Sequence, residues 1–136
     1  MRILAVDLGL ARTGLAISDE SGFLASPVGT IAEKDLDVLC DKIADTVRER
    51  QATEIVVGHP RNMDGSCGES AQRAEGFAKA LGDKTGLPVH LWDERMTTVS
   101  AIGYLNQTDT RGKKRKAVVD TVAATIILQN YLDSLP

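Results

Sequence analysis

The feature that most constrains this chain is Ile3-Leu4-Ala5-Val6, an unbroken apolar run that ends in Asp7, Leu8 and Gly9. Successive apolar residues without alternation describe a strand covered on both faces, which commits the chain to layers on either side of a sheet. A carboxylate at the end of such a strand is costly unless a cation or hydrogen-bond donors meet it. Asp7 is therefore either a turn residue bonding its own backbone beside Gly9 or a member of a charged site.

The segments that follow fill in the layers. Leu15 to Asp19 reads as a second strand, joined to the first through a short turn containing Gly9 and Gly14. Phe23 to Ile31 is a third extended segment, and Pro27 and Gly29 mark it as an edge strand of an antiparallel meander. The period then changes: Leu36, Leu39, Cys40, Ile43 and Val47 predict a helix from about Asp35 to Arg50. Ile55 to Gly58 is a buried strand, so strand, helix and strand imply a parallel crossover. Ser66 and Glu69 have capping-box spacing and predict a helix starting near Ser66, with Ala71, Ala74, Phe77, Ala78 and Leu81 as its stripe and Gly86 and Pro88 as its stop. Val89 to Trp92 is a further strand, ending in Asp93-Glu94-Arg95. Thr97 or Thr98 caps a helix through Ala101, Ile102 and Leu105, a polar loop follows over 106–112, and a last helix starts in or just after the basic run, with Val119, Val122, Ala123, Ile126 and Ile127 as its apolar face.

With 136 residues and 43% hydrophobic content, one domain over 1–136 is expected. No apolar run reaches the roughly 20 residues of a membrane helix and no signal-peptide pattern opens the chain, so a cytoplasmic location is expected. Cys40 and Cys67 follow neither a disulfide nor a zinc pattern and are expected as free thiols. The net charge of -3 argues against a protein that coats polyanions with its whole surface, yet five of the 16 basic residues, Arg111, Lys113, Lys114, Arg115 and Lys116, fall together.

In an open α/β sheet the functional crevice lies at the carboxyl ends of the parallel strands. Asp7 ends the first strand and Asp93-Glu94 the last, while Asp120 lies on the final helix at i−3 and i−7 from Ala123 and Ile127. Each acid has an ordinary alternative: Asp120 near a helix start, Asp93 as a cap, Glu94 paired with Arg95 or Arg12. Taken together, oxygen ligands without His or Cys favour Mg²⁺ or Mn²⁺, and two such ions about 4 Å apart suit phosphodiester hydrolysis.

The chain resembles the RuvX/YqgF family, whose members are named both as Holliday-junction resolvases and as nucleases of pre-16S ribosomal RNA. The resemblance spans essentially the whole chain. It rests on Asp7-Leu8-Gly9, Arg12-Thr13-Gly14, Ser18-Asp19, Asn62-Met63-Asp64-Gly65-Ser66, Asp93 through Thr98, and Lys113 to Lys116 followed by Asp120, Ala123-Ala124 and Ile127-Leu128-Gln129. It implies an RNase H-like fold, a mixed five-stranded sheet flanked by helices, and a metal-dependent acidic site of Asp7, Glu94 and Asp120. Asp93 is the neighbouring alternative to Glu94. Related resolvases carry another acid three residues after the helix Asp, where this chain has Ala123. His59, in Gly58-His59-Pro60-Arg61, departs from the leucines usual around that proline; it is expected as a packing residue, with approach to the scissile phosphate as the functional alternative.

Lys113, Lys114, Arg115 and Lys116, with Arg12, Arg61 and Arg95 as weaker candidates, are expected to hold a phosphate backbone. Aromatic content of 4% offers no base-stacking platform, which points to a structured RNA or a branched DNA read by shape. The leading expectation is 5′-end processing of pre-16S rRNA on ribosomal precursor particles. A Holliday-junction resolvase, acting as a homodimer where an RNA enzyme works as a monomer, is the alternative. Two readings of other classes compete: a non-catalytic nucleic-acid-binding module, and an actin-like ATP-binding phosphotransferase, which needs two such domains where 136 residues supply one.

Overall fold

The computed structural model describes residues 1–62, 64–96 and 112–136; the side chains of Met96 and of 112–121 lie outside that description. Strands β1 (Ile3–Asp7), β2 (Arg12–Ser18) and β3 (Ala25–Ala32) lead to helix α1 (Leu36–Arg50). Strand β4 (Glu54–His59), helix α2 (Glu69–Thr85), strand β5 (Val89–Asp93), a 3-10 turn at Glu94–Met96 and helix α3 (Gly112–Ser134) complete the order. The five strands form one sheet in the order β3-β2-β1-β4-β5. The first three are antiparallel neighbours, and β4 and β5 run parallel to β1. This is the expected mixed five-stranded sheet.

Alternation along the strands divides the core into two layers. Leu4, Val6, Ile55 and Val57 pack against Leu39, Ile43, Phe77 and Leu81 of α1 and α2. Ile3, Ala5 and Val56 pack against Ala124, Leu128 and Leu132 of α3. Each fully buried Leu or Ile contributes about 1.5–3 kcal/mol, so a strand such as β1, covered on both faces, anchors both layers at once. Helix α1 keeps its expected bounds because Asp35 caps it, accepting from the Asp37 and Val38 amides at 2.9 and 3.3 Å.

Several boundaries differ from expectation for local reasons. β3 begins at Ala25 rather than Phe23 because Asp19 Oδ1 captures the Phe23 and Leu24 amides at 2.8 and 3.1 Å, closing a turn. α2 begins at Glu69 with Gly68 as its cap, not at Ser66, because Asp64 Oδ1 takes both the Ser66 amide (2.9 Å) and hydroxyl (2.6 Å). α3 begins at Gly112, within the basic run as expected, but among its described side chains the buried set is Ala124, Ile127, Leu128 and Leu132, with Val122, Ala123 and Ile126 only half-buried. The expected helix at Thr97 to Leu105 and the loop through 111 lie outside the described residues. Gln129 fixes α3 to the edge strand, accepting from the Ala25 amide at 3.0 Å and donating to the Phe23 carbonyl at 2.9 Å.

Candidate active site at the carboxyl edge of the sheet

Strand parity decides which acid faces which layer. In β1, Ile3 and Ala5 face α3, so Asp7 does too. In β4, Val56 faces α3, and so does the position of Gly58. In β5, Trp92 packs on the α3 layer whereas Val89 packs on the other, so Asp93 points toward α2. The 3-10 turn then brings Glu94 back to the side of Asp7.

β4 lies between β1 and β5, which sets those strands about 9.6 Å apart, two strand spacings. Carboxyl groups on the two outer strands meet only if the middle strand offers no side chain in between. Gly58 is that gap. A Cβ there would stand 2.7 Å from Glu94 Oε1 and 3.0 Å from Ile127 Cδ1 of α3. Glu94 therefore lies across the bare backbone of β4 and hydrogen-bonds Asp7. The Glu94 carboxyl is pushed up to about 8, first by burial, then by the hydrogen bond to Asp7 and by the charges of Asp7 and Asp93. At neutral pH it holds a proton and donates it to the Asp7 carboxylate. The charges of Asp7 and Asp93 both act to keep that proton on Glu94.

Asp93 has a different environment. Arg95 donates to it from Nε at 3.1 and 3.0 Å, from its second terminal nitrogen at 2.6 Å and from its amide at 3.0 Å, and Arg61 stands 3.9 Å away. These bonds, the Arg95 side chain foremost, hold Asp93 at about 2. Arg61 also donates to the Gly65 carbonyl. Gly65 has φ +89°, and the terminal nitrogens of Arg95 and Arg61 stand 3.4 and 3.9 Å from where its Cβ would be. Asp93 thus gathers two partly exposed guanidinium groups at the carboxyl end of β5.

The remaining expected residues take the following places. Arg12 opens β2, and the link to it is tight: a Cβ on Gly9 would fall 1.9 Å from the Arg12 carbonyl oxygen. Arg73 of α2, which nothing in the sequence singles out, donates to the Gly9 carbonyl at 3.0 Å and ties this turn to the helix layer. His59 is 8% exposed and faces α2, with Nε2 3.1 Å from Glu75 Oε1; it lies on the opposite side of the sheet from Asp7 and Glu94. Asp120 and Lys113 to Lys116 belong to the backbone of α3, and their side chains lie outside the described residues.

Over residues 1–134 the chain matches the family model described as "RuvX: Holliday junction resolvase". A Lachnospira eligens protein named "Putative pre-16S rRNA nuclease" is 45% identical over 137 residues, covering 98% of each chain. Among solved structures, T. thermophilus RuvC in complex with Holliday junction substrate superposes with a TM-score of 0.63 at 12% identity, covering 98% of this chain and 95% of that one. The fowlpox virus Holliday junction resolvase gives 0.56 at 14% identity, covering 99% and 100%. At such identities the structural likeness speaks for a shared RNase H-like fold.

Proposed function

The chain belongs to the RuvX family, and from that premise we infer a metal-dependent nuclease that hydrolyses phosphodiester bonds in structured nucleic acid, its substrate the 5′ end of pre-16S rRNA. The observation that carries the reading is the Asp7–Glu94 carboxyl pair meeting across Gly58 at the carboxyl edge of the sheet. The name of the 45% identical relative favours RNA; the family description favours a four-way DNA junction, which is the second reading.

The residues present fit a hard divalent cation. Glu94 and Asp7 offer only oxygen, and Glu94 holds a proton that a cation would displace. Asp7 and Glu94 would hold Mg²⁺ or Mn²⁺, with Asp120 as a third ligand from its place one turn before buried Ala124 and two before Ile127. Such a cation supplies Lewis-acid polarisation of the phosphoryl group and a lowered pKa for attacking water. The chain's own residues do the rest. Glu94 would yield its proton to a bound cation, and Gly58 leaves room for its carboxylate. Arg61 and Arg95, held by Asp93, neutralise phosphates flanking the scissile one, with Arg12 and Lys113 to Lys116 extending that hold along the backbone.

This reading places the enzyme in the cytoplasm on ribosomal precursor particles, as a monomer for RNA and a homodimer for a junction. Among the described residues no helix is long and apolar enough to cross a membrane. The test is cleavage of labelled precursor-like RNA and four-way DNA junctions side by side, with Mg²⁺, Mn²⁺ or chelator. Metal-dependent cutting of RNA, lost in Asp7→Asn with binding retained, is expected. Cutting of the junction alone would transfer the assignment to DNA, and binding without cutting of either would replace the nuclease with a non-catalytic module.

A further inference from the structure

On the opposite face of the same sheet edge, three donors of different chemistry converge. His59 closes β4, Cys67 lies in the loop before α2, and Glu75 sits in the second turn of α2. His59 Nε2 is 3.1 Å from Glu75 Oε1 and 4.0 Å from Cys67 Sγ, and all three donor atoms lie within 4.8 Å of one another. We propose that His59, Cys67 and Glu75 form a binding site for a zinc-class divalent cation, separate from the Asp7–Glu94 pair.

The geometry is close to what such an ion requires. Tetrahedral zinc with ordinary bond lengths separates a nitrogen and an oxygen ligand by about 3.4 Å, and places sulfur about 3.6 Å from either. The nitrogen–oxygen separation is already within a few tenths of an ångström, and the sulfur needs to move inward by roughly 1 Å. The parts that must adjust are free to do so: Cys67 is exposed and the Glu75 side chain is 44% exposed, whereas His59 is buried and fixed by its strand. A hydrogen bond between His59 and Glu75 alone gives no use for the thiol aimed at the same nitrogen. A soft sulfur beside an imidazole selects Zn²⁺ or Co²⁺ over Mg²⁺.

On binding, the hydrogen shared between Nε2 and Oε1 moves through solvent to Nδ1, leaving the Nε2 lone pair for the cation; the Cys67 thiol releases its proton to solvent, and the three ligands replace three waters of the hydrated cation. Three protein ligands leave one coordination position open to water. The site joins the end of β4, the loop over 60–68 and α2, and that loop carries Arg61, which reaches Asp93. Occupancy therefore stiffens the segment that presents Arg61 at the carboxyl edge.

The test needs no nuclease activity, so it stands whether or not cleavage is found. Full-length reduced protein, stripped with chelator, is titrated with Zn²⁺ against a chromophoric chelator and separately with Co²⁺. One tight Zn²⁺ per chain is expected in the wild type, in Cys40→Ala and in Asp7→Asn, together with a thiolate-to-cobalt charge-transfer band. Cys67→Ser should lose the band and bind Zn²⁺ at least about tenfold more weakly, and Glu75→Gln should weaken binding while keeping the band. Both variants change exposed groups, and far-UV circular dichroism of the stripped proteins checks that they fold. Absence of the band, zinc affinity unchanged in Cys67→Ser, or zinc lost in Asp7→Asn instead, would each overturn the site.

Discussion

Replacing Gly58 by alanine is the sharpest single probe of the acid pair, because it touches neither carboxyl group chemically. The new Cβ would stand 2.7 Å from Glu94 Oε1 and 3.1 Å from Glu94 Cδ, where ordinary packing begins at 3.4 Å, so the carboxyl group must retreat by about 0.7 Å. On the other side the Cβ meets Ile127 Cδ1 at 3.0 Å, which asks that side chain to give by a few tenths of an ångström. Overpacking of this kind costs about 1–3 kcal/mol, partly offset by the roughly 0.4–1 kcal/mol that Gly→Ala gains from a less flexible unfolded chain. Gly58→Ala is therefore expected to lose no more than about 2.5 kcal/mol in urea unfolding and to remain folded. Its activity falls much further, because a catalytic group displaced by about 1 Å costs around a hundredfold in rate. Single-turnover cleavage of precursor RNA at saturating Mg²⁺, with substrate binding followed separately, measures that loss. A folded Gly58→Ala protein that cuts at the wild-type rate would refute the claim that the acids meet through this gap.

The pH dependence of the metal-free protein has a definite sign. The folded chain keeps the Glu94 proton up to about 8 whereas the unfolded chain releases it near 4.5, so stability falls as pH rises between those values and levels off above them. Urea midpoints across that range should show a decline that Glu94→Gln reduces. Loading has the opposite trend: the apparent Mg²⁺ affinity, followed by calorimetry, should rise with pH up to about 8 and be much flatter in Glu94→Gln. Asp93→Asn should retain most of the cleavage that Glu94→Gln loses, its defect lying in substrate binding as Arg61 and Arg95 lose their anchor; equal loss in both variants would reverse the assignment between the two acids. Alanines at Lys113 to Lys116 should weaken binding of all sequences alike and flatten the salt dependence by roughly 0.7–0.9 for each phosphate that is no longer neutralised, measured by fluorescence anisotropy.

The sheet is legible in the sequence because its strands are short apolar runs whose type is set locally; Asp7 directly ends one such run and Asp93-Glu94 follow another, whereas the preference for Glu94 over Asp93 comes from the family resemblance and not from the run. Gly58 does not stand out. Its meaning depends on β4 lying between β1 and β5, a property of strand order rather than of any segment. The start of α2 is obscured because two side chains compete for one amide: Ser66 has capping spacing to Glu69, but Asp64, two residues earlier, takes the Ser66 groups first. The convergence of His59, Cys67 and Glu75 at eight-residue intervals matches no short metal motif, since a strand end, a loop and a helix turn bring the three together. Arg73 likewise gives no local signal, because its partner Gly9 is 64 residues away.

Helix α3 is the sole described cover of one sheet face and the last element in chain order. Ile3, Ala5 and Val56 stay uncovered until Ala124, Leu128 and Leu132 arrive, and Ile127 is the residue that closes over Gly58. A nascent chain still lacking this helix carries Asp7 and Glu94 without the wall that buries them and without Asp120. Under the proposed assignment, the acid pair, the Ile127 wall over Gly58 and the third ligand come together only once α3 has been made.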